Sequence, residues 1–313
     1  MSQKIQNDFC LRLDDLATLF DLKPEKIKKE LSALGVEIFL SQGKALVMPE
    51  GVRLYLQKKG YKYQTQVISF QMLKGGVSKT TSCLNIGLRA AMYGFRVLFV
   101  DLDQQANLSF ALGVDDLEAS VFINVLEKKT SMRKAIRPIA ENSIGLLPSN
   151  LNNSVIERVL LNGTRNLGRV VRAPIDEVLE SYDLVLIDTS PSVSALNTAV
   201  TCASDLVILP INPDKFTLFG AQKHLADLEQ IRDDFNLDFD IKLLFTKYDG
   251  REGSSEAYLN QCMDLFGNKL IRNYVRQTAD IKNTIASGKT IYDIKGNAKS
   301  DYDRVSRDIL GIW

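Results

Sequence analysis

Histidine is almost missing from this chain: His224 is the only one among 313 residues. Histidine-based catalysis and polyhistidine metal sites are therefore excluded by inventory, and His224, in a helical stretch, is expected to pack or to face solvent. Cysteine is scarce as well. Cys10, Cys83, Cys202 and Cys262 are scattered with no Cys-x-x-Cys pair, which argues against a zinc or iron–sulfur site and for structural thiols. A surplus of either charge is also lacking, since Lys and Arg exceed Asp and Glu by a net of +1. Any contact with nucleic acid must then come from a local patch, not from the overall field. No stretch approaches the ~18 uninterrupted apolar residues of a membrane span, and the first residues lack a signal-peptide core. The expectation is a cytoplasmic protein that does not insert in a membrane.

What the chain does have is enough apolar material for a sizeable core. With 45% hydrophobic and 25% charged residues, 313 residues can form one large core, or one core plus a small domain. The most informative stretch is Lys74-Gly75-Gly76-Val77-Ser78-Lys79-Thr80-Thr81. It follows an apolar run, Val67, Ile68 and Phe70, that reads as a buried strand. It precedes Cys83, Leu84, Ile86, Leu88 and Ala91 at helical spacing. A strand, a glycine turn and a helix start aim backbone N–H groups and the positive end of a helix dipole at an anion. In such a phosphate loop Lys79 reaches the β- and γ-phosphates and the Thr80 hydroxyl ligates Mg²⁺. Lys74 is then a second cation that the cradle does not need.

Acidic strand ends follow in the order that such a site requires. Arg96 to Asp101 is an apolar β-rich run ending in an acid and continuing to Asp103. Tyr182 to Asp188 carries four consecutive apolar residues before its acid and reads as a fully buried central strand. Two more strands are expected at Asp205–Pro210 and Ile241–Thr246, with amphipathic helical stretches between. Alternation of strand and helix predicts an α/β fold with a doubly wound, mostly parallel sheet of the P-loop NTPase type. Ligand groups belong at the carboxyl ends of its strands.

The Lys-Gly-Gly-x-x-Lys-Thr pattern at 74–80 resembles the deviant Walker A motif of the ParA/MinD family of ATPases. The resemblance implies that Lys74 is the signature lysine, reaching across a nucleotide-sandwich homodimer to the partner's phosphates. Charge placed there stabilises phosphoryl transfer as an arginine finger does. Position 78 is Ser where Gly is usual, which adds strain if that backbone needs a glycine conformation. Asp101-Leu102-Asp103-Gln104-Gln105-Ala106-Asn107 is similar to the family's Walker A′ element, with Gln104 for Pro and Ala106 for Gly. By that likeness Asp103 orients the attacking water and Asp101 helps to organise the magnesium shell. Asp188 resembles the Walker B carboxylate. Around the base, Pro213 in Ile211–Phe216 and the stretch Thr246-Lys247-Tyr248 stand where the family closes over the nucleotide. ATP and Mg²⁺ are the implied cofactors.

Residues outside the nucleotide site place the likeness in the DNA-partition branch. Tyr248-Asp249-Gly250-Arg251 and the block Gly288-Lys289, Ile291 and Asp293 are similar to ParA stretches, and the likeness spans about residues 67 to 310. It implies a basic strip holding nonspecific DNA, with Arg251, Arg272, Arg276 and Lys282 as candidates, and a ParB-like partner that stimulates hydrolysis on the nucleoid. Positioning of another cargo by the same switch is the alternative. A MinD-like membrane role requires a terminal amphipathic helix, and the acids of Asp301–Trp313 match its arginines, so docking on the core is expected. A metal-cluster carrier requires the paired cysteines that are absent.

Residues 1–64 are expected to form a separate N-terminal module and linker ahead of the ATPase domain at 65–313. Leu13, Leu16, Ala17 and Leu19 suggest one short helix, Ile27, Leu31 and Leu34 a second that starts near Pro24, and Gly51–Lys59 a third. Val36–Phe39 and Ala45–Met48 flank Ser41-Gln42-Gly43-Lys44 as a hairpin wing, and Gly60–Gln66 reads as a polar linker. The pattern looks like the winged helix-turn-helix of larger plasmid partition ATPases. Lys23, Lys26, Lys28 and Lys29 suit a helix on specific DNA, while interspersed acids leave dimerisation or partner docking equally open.

Overall fold

The computed structural model describes residues 9–163, 165–281, 284 and 289–313. Seven strands form the central sheet: β4 (Gln66–Phe70), β5 (Val97–Asp101), β6 (Arg137–Ala140), β7 (Ile144–Leu147), β8 (Leu184–Asp188), β9 (Leu206–Ile211) and β10 (Asp240–Phe245). Their order is β10-β9-β4-β8-β5-β7-β6, and every pairing is parallel except that of β6 with β7. The expected α/β sheet is thus present, with the phosphate-loop strand β4 between β9 and β8. Alternate side chains feed cores on the two faces. Ile68, Phe70, Phe99 and Leu186 enter one buried cluster, and Val67, Val100, Val185 and Ile187 another, which is why these strands are apolar throughout and not alternating.

The edge pair β6–β7 was not expected from the sequence. Pro138 interrupts the first run, and Gly145 the second. Pro is tolerated here because β6 is the edge strand, with one side of its ladder free. Gly145 leaves space that a Cβ would take from the Tyr182 ring. Neither run carries a periodic signal, so only the pairing of β7 with β5 and of β6 with β7 reveals them as strands.

Ahead of the sheet, residues 11–58 fold as β1 (Leu11–Arg12), α1 (Leu13–Leu19), α2 (Pro24–Ala33), β2 (Ile38–Ser41), β3 (Lys44–Val47) and α3 (Pro49–Lys58). The three short strands make an antiparallel sheet in the order β1-β3-β2. Proline opens both α2 and α3 at the first turn, where its missing N–H costs nothing. Leu16, Ile27, Leu31, Val47, Val52 and Leu56 are buried in the same cluster as Ile68 and Phe70 of the main sheet. The Gly60–Gln66 stretch packs as well. Tyr61 stacks on Trp313 and meets Tyr63 edge-on, Tyr63 meets Phe95 edge-on, and the Tyr63 hydroxyl donates to the Tyr93 carbonyl at 2.6 Å.

Charge ties this junction together. Helix α4 (Lys79–Met92) leaves the phosphate loop, α5 (Lys215–Phe235) follows β9, and α6 (Asn297–Leu310) lies against α4. The Arg89 side chain of α4, only 2% exposed, bonds Asp303 of α6 at 2.6 Å and Asp15 of α1 at 3.3 Å. It also sits over the rings of Tyr93 and Tyr292. Asp15 receives Lys299 at 2.8 Å. The tail docks as expected: Tyr302, Val305 and Ile312 are buried. Replacing Arg89 by Met removes the buried cation between the two acids, leaving Asp303 with Tyr93 and Arg307 and Asp15 with Lys299, so Arg89→Met is expected to lower stability by about 3 kcal/mol in urea unfolding.

Candidate nucleotide and metal site

The turn from β4 into α4 needs two residues in the left-handed region. Gly76 has φ +74° and Ser78 φ +72°. Glycine supplies the first without steric cost, whereas Ser78 holds a conformation costing roughly 1–2 kcal/mol for a residue with a Cβ. The sequence flagged Ser78 as a departure, and its backbone is strained as expected. Ala106, which replaces the usual glycine in the Asp101–Asn107 element, is likewise left-handed at φ +53°. Both departures therefore fall where glycine fits best.

Gly75, Gly76, Ser78, Lys79, Thr80 and Thr81 line a cleft of about 910 Å³. Lys79 is 7% exposed. Burial pulls its pKa down, and the charges of Asp188 and Asp103 oppose that shift. Val77 instead turns into the core and is fully buried. Asp103 lines the cleft too, held by the Gln105 N–H on its Oδ1 at 3.0 Å. Thr246 and Lys247, from the stretch expected near the base, form part of the wall. Lys247 donates to the Gly76 carbonyl at 2.6 Å, and Thr246 bonds Asn212 at 2.8 Å, so the ends of β9 and β10 brace the loop. Pro213 is not among the lining residues.

Beneath Lys79 lie two carboxylates in register, because Asp101 of β5 pairs with Asp188 of β8. Both are fully buried. Burial pushes the Asp101 carboxyl up to about 7, against hydrogen bonds from Ser109 and from the Asp103 N–H. Burial and the neighbouring Asp101 push Asp188 well above the usual carboxylate range. Asp188 Oδ2 accepts from the Thr80 hydroxyl at 2.6 Å, while its Oδ1 has no hydrogen-bond partner among the described residues. A buried, unpaired carboxylate oxygen beside a threonine hydroxyl fits the shell of a divalent cation, whose charge would relieve the repulsion between the two acids. Asp101 is more fully engaged: one oxygen takes both Ser109 donors and the other the Asp103 N–H. It positions Asp103 and the helix Asn107–Ala111. Ser109 carries no sequence signal for this role.

Lys74 stands apart. Its Nζ lies 2.8 Å from Asp214 Oδ1 and 3.1 Å from the Thr217 hydroxyl, at the start of α5, and it is absent from the lining of its own cleft. Asp214 is also the N-cap of α5, accepting from the Thr217 N–H at 2.9 Å. Burial raises the Asp214 carboxyl, and Lys74 with Thr217 outweighs it, so the group ends below the usual range. On the first turns of α5, next to Asp214 in the chain, Phe216 and Phe219 are 80% and 69% exposed.

The proposed basic strip is only partly assembled. Arg276 lines the nucleotide cleft and forms a two-pronged pair with buried Asp301, at 2.9 and 2.7 Å. Arg251 is 87% exposed and clasped by Asp249. Arg272 is exposed, and Lys282 lies outside the described residues, as does Gly288. His224 proves to be a packing residue, buried and shifted down to about 4 by desolvation. All four cysteines are buried thiols.

Relief of the two left-handed positions gives a direct check on the loop. Ser78→Gly and Ala106→Gly are each expected to raise stability by about 0.5–1 kcal/mol, the strain relieved exceeding the entropy added to the unfolded chain. Thermal melts of the nucleotide-free protein measure it.

The chain resembles known proteins in sequence and in fold. A family model described as an AAA domain matches residues 65–241. An uncharacterised Mycobacterium tuberculosis protein, Rv1708, is 32% identical over 250 residues, 78% of each chain. The sporulation initiation inhibitor protein Soj of Bacillus subtilis is 26% identical over 249 residues, 78% of this chain and 98% of Soj. In structure the chain resembles Cyanothece McdA in its ATP complex, with a TM-score of 0.73 at 18% identity, covering 80% of this chain and 98% of McdA. With its phosphate loop, buried acid pair and parallel sheet, the chain belongs to the AAA-domain family of ParA/MinD-type ATPases.

Proposed function

We propose that the protein is a DNA-partition ATPase in which ATP closes a homodimer, the dimer holds DNA without reading sequence, and a ParB-like partner resets it by stimulating hydrolysis. The observation that carries this reading is the division between the two lysines. Lys79 occupies the cleft, and Lys74 is turned away from it to an exposed face. A cation absent from the lining of its own cleft and held at the exposed start of α5, which also bears Phe216 and Phe219, suits a role in the site of a second copy. Likeness to Soj supports the partition branch.

Each residue then has a task. Backbone N–H groups from Gly75 to Thr81 and the Lys79 ammonium bind the phosphates. Thr80 and Asp188, with Asp101 behind, would hold Mg²⁺, which would supply charge neutralisation for phosphoryl transfer. Asp103, braced by Gln105, orients water. Loss of the γ-phosphate releases Asp103 and the helix after it, so the conformational state is the output and hydrolysis sets its lifetime. Residues 9–58 act as a winged helix-turn-helix module. The α1–α2 pair, the β2–β3 hairpin and α3 support that reading, as do the exposed Lys23, Lys26, Lys28 and Lys29. No helix among the described residues is long and apolar enough to cross a membrane, and the buried face of α6 favours an assembly on the nucleoid in the cytoplasm.

Lys74→Ala is expected to keep ATP affinity within about threefold while losing the ATP-dependent dimer. Lys79→Ala loses nucleotide, and Asp103→Ala accumulates dimer. Light scattering with and without ATP reads all three, and an ATP dimer in Lys74→Ala would overturn the sandwich reading.

For DNA, Arg272→Glu is the cleaner probe. Reversal of Arg276 would place a second acid against buried Asp301 and confound folding with binding. Mobility shift of an arbitrary duplex at low salt is expected to weaken about tenfold in Arg272→Glu with dimerisation intact, and unchanged binding would remove Arg272 from the contact surface.

A further inference from the structure

The remaining cations of the chain are not spread evenly. Between the helices Phe122–Leu126 and Met132–Ala135 on one side, and Leu167–Val170 and Arg172–Asp176 on the other, lies a groove of about 640 Å³. Its rim carries Lys128, Lys129, Lys134, Arg165 and Arg169, all exposed. Glu177 is the only acid among the lining residues. In a chain whose total is +1 this is a strong local field.

Lys129 faces Glu127 at 2.7 Å, and Arg165 is fixed to the Leu126 carbonyl at 2.8 Å. Lys128, Lys134 and Arg169 have no carboxylate within ion-pair distance among the described residues. The floor is apolar. Val125 and Leu126 are buried in the cluster that contains Val100, Leu102 and Ile187, and half-buried Val170, Ala173 and Pro174 complete it.

We propose that this groove docks an acidic peptide segment of a partner protein, carboxylates on the rim and one apolar side chain on the floor. Three features select that ligand. Unpaired lysines and arginines match a run of Asp or Glu. The floor offers dry contact that a sugar–phosphate backbone does not use, and none of the lining residues is an aromatic on which a base could stack. At this volume the groove admits a few peptide residues but not a duplex roughly 20 Å across. The site is distinct from the nucleotide cleft, with which it shares no lining residue, so it stands or falls independently of the partition reading. The floor does share its buried cluster with β5 and β8, the strands that end in Asp101 and Asp188. A ligand here would rest on the same packed layer as the metal acids.

The test uses the full-length protein and a fluorescein-labelled peptide of four Glu-Glu-Leu repeats, followed by anisotropy at moderate salt. Saturable binding is expected, weakened at least tenfold in the combined Lys128→Glu, Lys134→Glu, Arg169→Glu variant. A matched peptide with Ser for Leu is expected to bind at least fivefold more weakly at equal charge. Circular dichroism and ATP binding verify the fold of the variant, and the single changes Lys134→Ala and Arg169→Ala, each expected to weaken binding about threefold, serve if the combined one does not fold. Equal binding by wild type and variants overturns the proposal, as does failure of the peptide to bind or indifference to the Leu→Ser change. Loss of binding to a 24-base-pair duplex or to phosphatidylserine vesicles, with peptide binding untouched, overturns it in favour of nucleic acid or membrane.

Discussion

Two carboxylates buried side by side set the terms for this protein. Asp101 and Asp188 are cross-strand neighbours on β5 and β8, both fully buried, and their mutual repulsion adds to the cost of desolvation. Everything placed above them answers that negative charge. Lys79 interacts with the charges of Asp188 and Asp103, Thr80 donates to Asp188, and Ser109 donates twice to Asp101. The one carboxylate oxygen left without a donor, Asp188 Oδ1, faces the problem that a divalent cation solves. The phosphate loop and the buried acid pair are therefore one electrostatic arrangement.

The same arrangement explains why Lys74 is elsewhere. Lys79 takes the position over the buried acids, and Lys74, five residues earlier, finds its own carboxylate in the N-cap of α5. The Lys74–Asp214 pair is substantially exposed, with side chains 42% and 34% accessible, so it contributes little to stability. Such a pair is easily exchanged for another partner. The proposed dimer requires such an exchange of Lys74.

Legibility in the sequence followed burial and spacing. Val67–Phe70, Leu184–Asp188 and the loop at 74–81 could be read because contiguous apolar runs and a glycine turn each have one common physical outcome. The short edge strands at Arg137–Ala140 and Ile144–Leu147 could not, since Pro138 and Gly145 erase the local preference and a neighbouring strand supplies the pairing. Ser78 was recognisable as unusual, but its strain is a matter of φ, which composition does not encode. Arg276 shows the opposite limit: its charge was plain, while its engagement with Asp301, 25 residues away, depends on how α6 packs.

By itself the sequence determined the chemistry available at the nucleotide site, because Lys79, Thr80, Asp103 and Asp188 are chemically suited to few other tasks at the ends of parallel strands. It determined the fold class for the same reason, through runs too apolar for any place but a sheet covered on both faces. Only the tertiary structure decided which charges are occupied and which are free. Lys74 bound to Asp214, Arg89 shared between Asp15 and Asp303, and three unpaired cations gathered over an apolar groove are outcomes of long-range packing. Coulomb energy depends on distance through space, and distance along the chain does not fix it.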